Sequence, residues 1–174
     1  MTVRFVTLIF FAVVQFAYAD MLPDGTERYD VEEKPWVELD TAIPDYPKAE
    51  NLIEIFVGPT ESNHFYVDGS SLVIGVDGIV RYVLVLKAKG GATNVSLEAM
   101  RCATREMKLV ATASVDGNWQ RNSNPLWQPI KNKLVNQHHA ILNHDFFCLG
   151  GHPPRDAAEA RAGLKNGRHK DAPQ

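Results

Sequence analysis

Apolar and polar positions alternate most clearly between residues 71 and 113. Val80, Tyr82, Leu84 and Leu86 share one face of a strand over residues 79–88, and Arg81, Val83, Val85 and Lys87 share the other. The second face is apolar in its middle and charged at its ends, which predicts a central strand with part of that face covered. Residues 71–75 and 79–88 flank Asp77-Gly78, an Asp-Gly pair that predicts a hairpin closed by a type I′ turn. Gly90-Gly91 turns the chain into a strand over 95–103, Thr104-Arg105 turns it again into 107–113, and Asp116-Gly117 ends that run. Short connections of this kind predict an antiparallel meander of four strands. Two further short runs, residues 52–57 before Gly58-Pro59 and 64–67 before Asp68-Gly69, raise the expectation to six. After residue 128 the period changes to that of a helix. Pro129 suits a first turn, and Ile130, Leu134, Ile141, Leu142 and Phe146 fall on one face, with a break near Asn136 left open. Gly150-Gly151 and Pro153-Pro154 end the pattern. The expected fold is α+β, an antiparallel meander of four to six strands with a C-terminal helix packed on the sheet, covering its second apolar face.

The two ends of the 174-residue chain lack this patterning. Residues 1–19 have Arg4, an uncharged apolar run over 5–16 and Ala17-Tyr18-Ala19, the layout of a secretory leader cleaved between Ala19 and Asp20. The apolar stretch is shorter than the roughly 20 residues that span a bilayer, so no integral membrane segment is expected after cleavage. Residues 20–50 are acidic and contain four prolines, with no period of 2 or 3.6. They read as an extended arm, with Trp36 and Tyr46 as anchors, or as disordered over the first dozen residues. Residues 51–150 form the expected globular domain, and 151–174 a flexible polar tail in which 157–164 forms at most a transient helix.

Charge and cysteine content narrow the function. The net charge is -3 with an isoelectric point near 6.1, which argues against a nucleic-acid partner. Cys102 and Cys148 are the two cysteines. In an exported protein an even count reads as one disulfide, the other reading being two free buried thiols. The bond would pin the helix to the sheet. His138, His139, His144 and Asp145 crowd one segment, but no pair among them has the i, i+3 or i, i+4 spacing that lets one straight helix place two ligands near 2 Å from an ion. His138 lies in the apolar stripe and reads as a partly buried, hydrogen-bonded side chain. No nucleophile elbow, zinc-protease helix or phosphate loop occurs, so no catalytic residue, metal or cofactor is expected. Arg81, Glu98, Arg101, Arg105 and Glu106 lie on or beside the meander. They read as cross-strand pairs or as the lining of a polar ligand pocket. Trp119 and Trp127 bracket a loop that also holds Arg121, an aromatic-plus-arginine set that serves either recognition or packing. The candidate binding residues are therefore Arg81, Arg101, Trp119, Arg121 and Trp127.

The runs over 71–82 (SLVIGVDGIVRY) and 91–102 (GATNVSLEAMRC), with the closing Asp145-Phe146-Phe147-Cys148, resemble the cryptic neisserial protein one-like family, secreted proteobacterial proteins of uncharacterised function. The likeness covers residues 36–149. Leu97 stands where the family pattern has an aromatic, and Ala99 where it has glycine. The resemblance implies a periplasmic or secreted bacterial domain and brings no catalytic residue or cofactor. The expected function is a non-catalytic module of the cell envelope that binds an envelope protein or a small ligand. The alternatives are a hydrolytic enzyme of unrecognised class and a purely structural envelope protein.

Overall fold

The computed structural model describes residues 35–133 and 136–167. The expected leader, the acidic arm before Pro35, Leu134, Val135 and the last seven residues lie outside the described residues. Two compact units separate after Pro35, and the second, Trp36–Gln174, holds every element below.

Among the described residues the sheet is antiparallel and has eight strands, two more than the pattern predicts: β1 (Leu52–Ile55), β2 (His64–Asp68), β3 (Val73–Ile74), β4 (Ile79–Lys87), β5 (Thr93–Arg101), β6 (Glu106–Ala113), β7 (Trp119–Arg121) and β8 (Gln128–Pro129). The extra strands are short. β2 and β3 pair in turn along one edge of β4, and β7 and β8 along one edge of β6. The long β4 and β5 pair over nine residues and form the centre. A bulge between Leu97 and Glu98 shifts the β5–β6 register by one.

Three tight connections share one geometry, and it is not the expected type I′ turn. In each, a residue's N–H donates to the carbonyl four residues on, while its own carbonyl accepts from a glycine N–H three residues on: Gly75 with Gly78, Ala88 with Gly91, and Ser114 with Gly117. Only the glycine has positive φ, 76° at Gly78. These are three-residue loops with one left-handed position, where glycine carries no Cβ penalty. Asp77 therefore keeps ordinary backbone angles, and its side chain is free for other work.

Each face of the sheet carries its own core. On one face Val80, Tyr82, Leu84, Phe65, Val67 and Met100 pack under Leu142, Phe146 and Phe147. On the other, Ile79, Val83, Val85, Val95, Leu97 and Ala111 pack under Ile43, Tyr46, Trp119 and Trp127. The helical layer thus covers the Val80–Tyr82–Leu84 face, and the N-terminal arm covers the Val83–Val85 face assigned above to the helix. The helix also begins later than the pattern predicts. Pro129 pairs with Glu106 in β8, and α1 starts at Gln137, runs to Ile141 and continues as a π-helical segment over Leu142–Phe147. An edge strand tolerates proline, which lacks only a donor that the edge does not need.

Cys102 and Cys148 are joined, with Cα atoms 5.0 Å apart, and they tie the end of the π-helical segment to the β5–β6 turn. Residues 157–165, expected to be flexible, instead form helix α2 (Ala157–Lys165). Asp156 caps it by accepting from the Glu159 N–H at 2.8 Å, and Glu159 reaches back to the Arg155 N–H. Ala160 and Leu164, four residues apart, are buried against the first-face core. Arg161 donates to the Gly69 carbonyl at 2.9 Å. Among the described residues no helix is long and apolar enough to cross a membrane.

Candidate functional site

The site is built around the β3–β4 loop. Asp77 lies four residues before Arg81, and the three-residue loop folds its carboxylate back onto that guanidinium. Arg81 donates through Nη2 to Asp77 Oδ2 at 2.6 Å and through Nη1 to Oδ1 at 3.1 Å, a bidentate pair. The side chains are 6% and 1% exposed, so water does little to screen the pair. Gly75 is required here for lack of space: a Cβ would lie 2.1 Å from Asp77 Oδ1. Burial by itself raises the Asp77 pKa. The hydrogen bond from Arg81, the Leu39 and Ile79 amides and the Arg81 charge outweigh it and lower the pKa from 3.8 to about 2.

This ion pair grips the arm. The Leu39 N–H donates to Asp77 Oδ2 at 2.9 Å, and the Trp36 indole N–H to the Asp77 carbonyl at 2.8 Å. Arg81 donates through Nε to Thr41 Oγ1 at 2.9 Å and through Nη2 to the Leu39 carbonyl at 2.8 Å. Arg121, on β7, donates to the Thr41 carbonyl at 2.8 Å and lies 3.9 Å from the Asp40 carboxylate. Arg101, near the end of β5, lies over the Trp36 ring at 4.7 Å and the Trp127 ring at 5.0 Å, a cation between two indoles. It also pairs with Glu106 directly across the β5–β6 register. Glu38 receives Lys108 on one oxygen and the Trp127 indole N–H, at 3.1 Å, on the other. Lys108 lies 4.7 Å from the Trp127 ring.

Four of the five candidate residues thus converge on one face: Arg81, Arg101, Arg121 and Trp127 all contact residues 36–41. Trp119 lies on the same face but packs into its core, and its indole N–H is buried with no hydrogen-bond partner among the described residues. The Arg101–Glu106 pair fits the cross-strand reading of the charges. Sequence reasoning missed Lys108, Asp77 and Glu38. Asp77 reads as a turn former, and nothing in the strand pattern marks Lys108 as the partner of an acid 70 residues away.

A second constellation lies on the helical face. Glu98, 4% exposed, accepts from Ser96 Oγ at 2.9 Å on one oxygen and is bonded to His139 Nε2 at 2.9 Å on the other. The His138 ring stacks on Phe65 at 4.6 Å and lies 4.0 Å from that of His139. Burial would raise the Glu98 pKa, but the charge and hydrogen bond of His139, with help from His138 and Ser96, lower it below 4.5. Burial and the neighbouring His139 lower His138 from 6.5 to about 4, against the pull of Glu98 and Glu61. The Tyr82 hydroxyl is buried without a hydrogen bond of good geometry, and burial and Glu98 push its pKa well up. Here the carboxylate sits between the serine and the histidine. In a nucleophilic triad the histidine occupies the middle and takes the serine proton. The Ser96 hydroxyl is committed to Glu98, so this order does not activate it. Beyond Glu98 a shallow groove of about 580 Å³ runs over β5, β6 and β7, lined by Asn94, Ser96, Thr112 and Gln120 among others. His144 pairs with its neighbour Asp145, and His64 with Glu54. Among the described residues no group of three His, Cys, Asp or Glu side chains could hold a metal ion.

The model of the CNP1-like family matches residues 31–165 of the chain. The match extends past the 36–149 expected from the motifs, through α2. No curated protein and no solved structure matches the chain.

Proposed function

The chain belongs to the CNP1-like family, and from that membership and the cradle on its second face we propose that it is a non-catalytic binding module of the bacterial cell envelope. The observation that carries the proposal is the grip on residues 36–41. Arginine, lysine and tryptophan side chains from β4, β5, β6, β7 and the loop before β8 hold an extended segment without any strand ladder. A surface that reads backbone carbonyls, a carboxylate and an indole is built for recognition. The Glu98–His139 pair offers a hydrolytic alternative a buried acid and base, but the Ser96 hydroxyl is committed to Glu98. The leader pattern over 1–19 and the paired cysteines support a periplasmic or secreted location.

Crosslinking in intact cells followed by pull-down of the native chain tests the proposal. A specific envelope partner is expected. Recovery of no partner, with measurable turnover of an envelope polymer, overturns it in favour of a hydrolase. The location has its own test: the mature protein should begin at Asp20 and be released by osmotic shock. An intact N-terminus in the membrane fraction would refute it.

A further inference from the structure

We infer that residues 36–41 occupy a peptide-binding cradle in cis, and that the partner the cradle takes in trans is an extended acidic segment with an aromatic residue two positions before a carboxylate. The inference rests on the binding-module reading above and names the ligand and regulation of that site.

The contacts to the arm divide by chemistry. Three of them use backbone groups that any peptide offers: the Leu39 N–H, the Leu39 carbonyl and the Thr41 carbonyl. Three use side chains and set the preference: the Trp36 indole N–H, the Glu38 carboxylate and the Thr41 hydroxyl. This is the pattern of a bound peptide, with affinity from the main chain and specificity from alternate side chains. A sugar or a nucleotide would not supply an amide N–H followed by its own carbonyl in that order.

The segment is placed so that it can leave. Residues 35–48 form no helix or strand. Trp36 and Leu39 are nearly half exposed and Val37 more so, so the arm turns much of its surface outward, and of residues 36–41 Thr41 is the buried anchor. Ile43 and Tyr46, further along, cover the apolar second face, so release of 36–41 need not open that core.

Charge selects the replacement. With the arm displaced, Arg81 keeps Asp77 and Arg101 keeps Glu106, but Lys108 loses Glu38 and Arg121 loses Asp40. Two unpaired cations then lie on one face, and they favour an anionic segment. The arm does not fill this site fully. The Asp40 side chain is 93% exposed and stands 3.9 Å from Arg121. The same oxygen, Oδ1, accepts from the Thr41 N–H at 2.9 Å, and a glutamate, one methylene longer, has the reach to leave the backbone and meet Arg121. An identical arm from a second copy brings no contact that the cis arm lacks. The cis arm also has an effective concentration on the order of millimolar. A partner whose carboxylate meets Arg121 more closely than Asp40 does can displace it, and a second copy of this chain cannot.

The test uses full-length chains and two fluorescent nonapeptides, the sequence of residues 35–43 and its D40E version, read by anisotropy. Wild-type chain should bind both weakly, because its own arm competes. E38K chain, whose arm repels Lys108 while its cradle is intact, should bind at least tenfold more tightly, and the D40E peptide more tightly than the native one. K108E chain should bind neither. W36A chain provides a second way to loosen the arm, and disulfide titration with circular dichroism confirms that each variant is folded. The inference is overturned if neither E38K nor W36A binds better than wild type, or if K108E binds as well as E38K. A heterodimer formed on mixing E38K with K108E would assign the cradle to a second copy and overturn the partner assignment. A partner captured from the envelope equally by wild type and K108E would leave the binding-module reading standing and refute this one.

Discussion

Replacing Asp77 with asparagine removes one charge and almost no volume from the centre of the cradle. The carboxylate is held at about 2 against an ordinary 3.8. That displacement corresponds to about 2 kcal/mol of stability carried by the ionised form. The substitution also leaves Arg81 charged and 6% exposed, facing an amide that can turn an N–H toward it. Breaking a buried pair from one side costs about 3 to 5 kcal/mol, and that range includes the lost ionic stabilisation. We therefore expect D77N to lose about 3 to 5 kcal/mol at pH 7 in urea unfolding followed by tryptophan fluorescence. The pH dependence has a definite sign. Because the folded-state pKa lies below the unfolded one, the contribution is complete above 3.8 and is lost as pH falls toward 2. Wild type should lose stability over that window more steeply than D77N. The double variant D77N/R81M should be less destabilised than the sum of its single variants, since no unpaired charge remains, although it gives up the Arg81 bonds to Thr41 and Leu39. A D77N loss below 1 kcal/mol, or a double variant as unstable as the sum of its single variants, would refute the claim that this pair organises the loop and the arm.

His138 is held neutral, with its pKa lowered from 6.5 to about 4, so its contribution is complete above 6.5 and is lost as pH falls toward 4; the loss approaches about 3 kcal/mol, and H138F, which retains a ring over Phe65, should flatten that part of the stability–pH curve. Replacing Cys102 and Cys148 with serine opens a loop of 46 residues and should cost about 4 kcal/mol in the chain-entropy model; two titratable thiols in the folded, unreduced protein would contradict the bond itself. L164A removes most of the apolar anchor of α2 and should cost about 2 to 5 kcal/mol, read by urea unfolding; a value within 0.5 kcal/mol of wild type would mean that the helix is not held to the core.

The central strands were legible because each residue there has one dominant neighbour relation. The alternation along β4, the glycines at residues 78, 91 and 117 and the branched residues between them act locally, so the meander from β3 to β6 can be read without knowing the rest. The cysteine pair was legible for a different reason: with only two in the chain there is one pairing to make. The motifs over 71–82 and 91–102 carried the family for the same reason, since they lie in those strands. The misreadings fall where an element depends on its partner. Pro129 looks like a helix start, yet β8 is two residues long and exists only because Glu106 and Met107 offer an edge. Helix α2 buries little beyond Ala160 and Leu164, too narrow a stripe to register as a period, although Asp156 and Glu159 carried a readable capping signal. The choice of cover for each face could not be read at all, because both faces of β4 are apolar at their centre and either could have taken the helix. The cradle is the extreme case. Arg81, Arg101, Arg121 and Trp127 were visible as residues that could bind something, but the segment they hold, Trp36 to Thr41, has no periodicity and lies 40 or more positions earlier in the chain. Its contacts run from side-chain tips to the backbone and single side chains of an extended segment, so local sequence pattern carries no record of them. Local pattern therefore determined the strands and their turns, and only the tertiary structure decided which surface each remaining segment occupies.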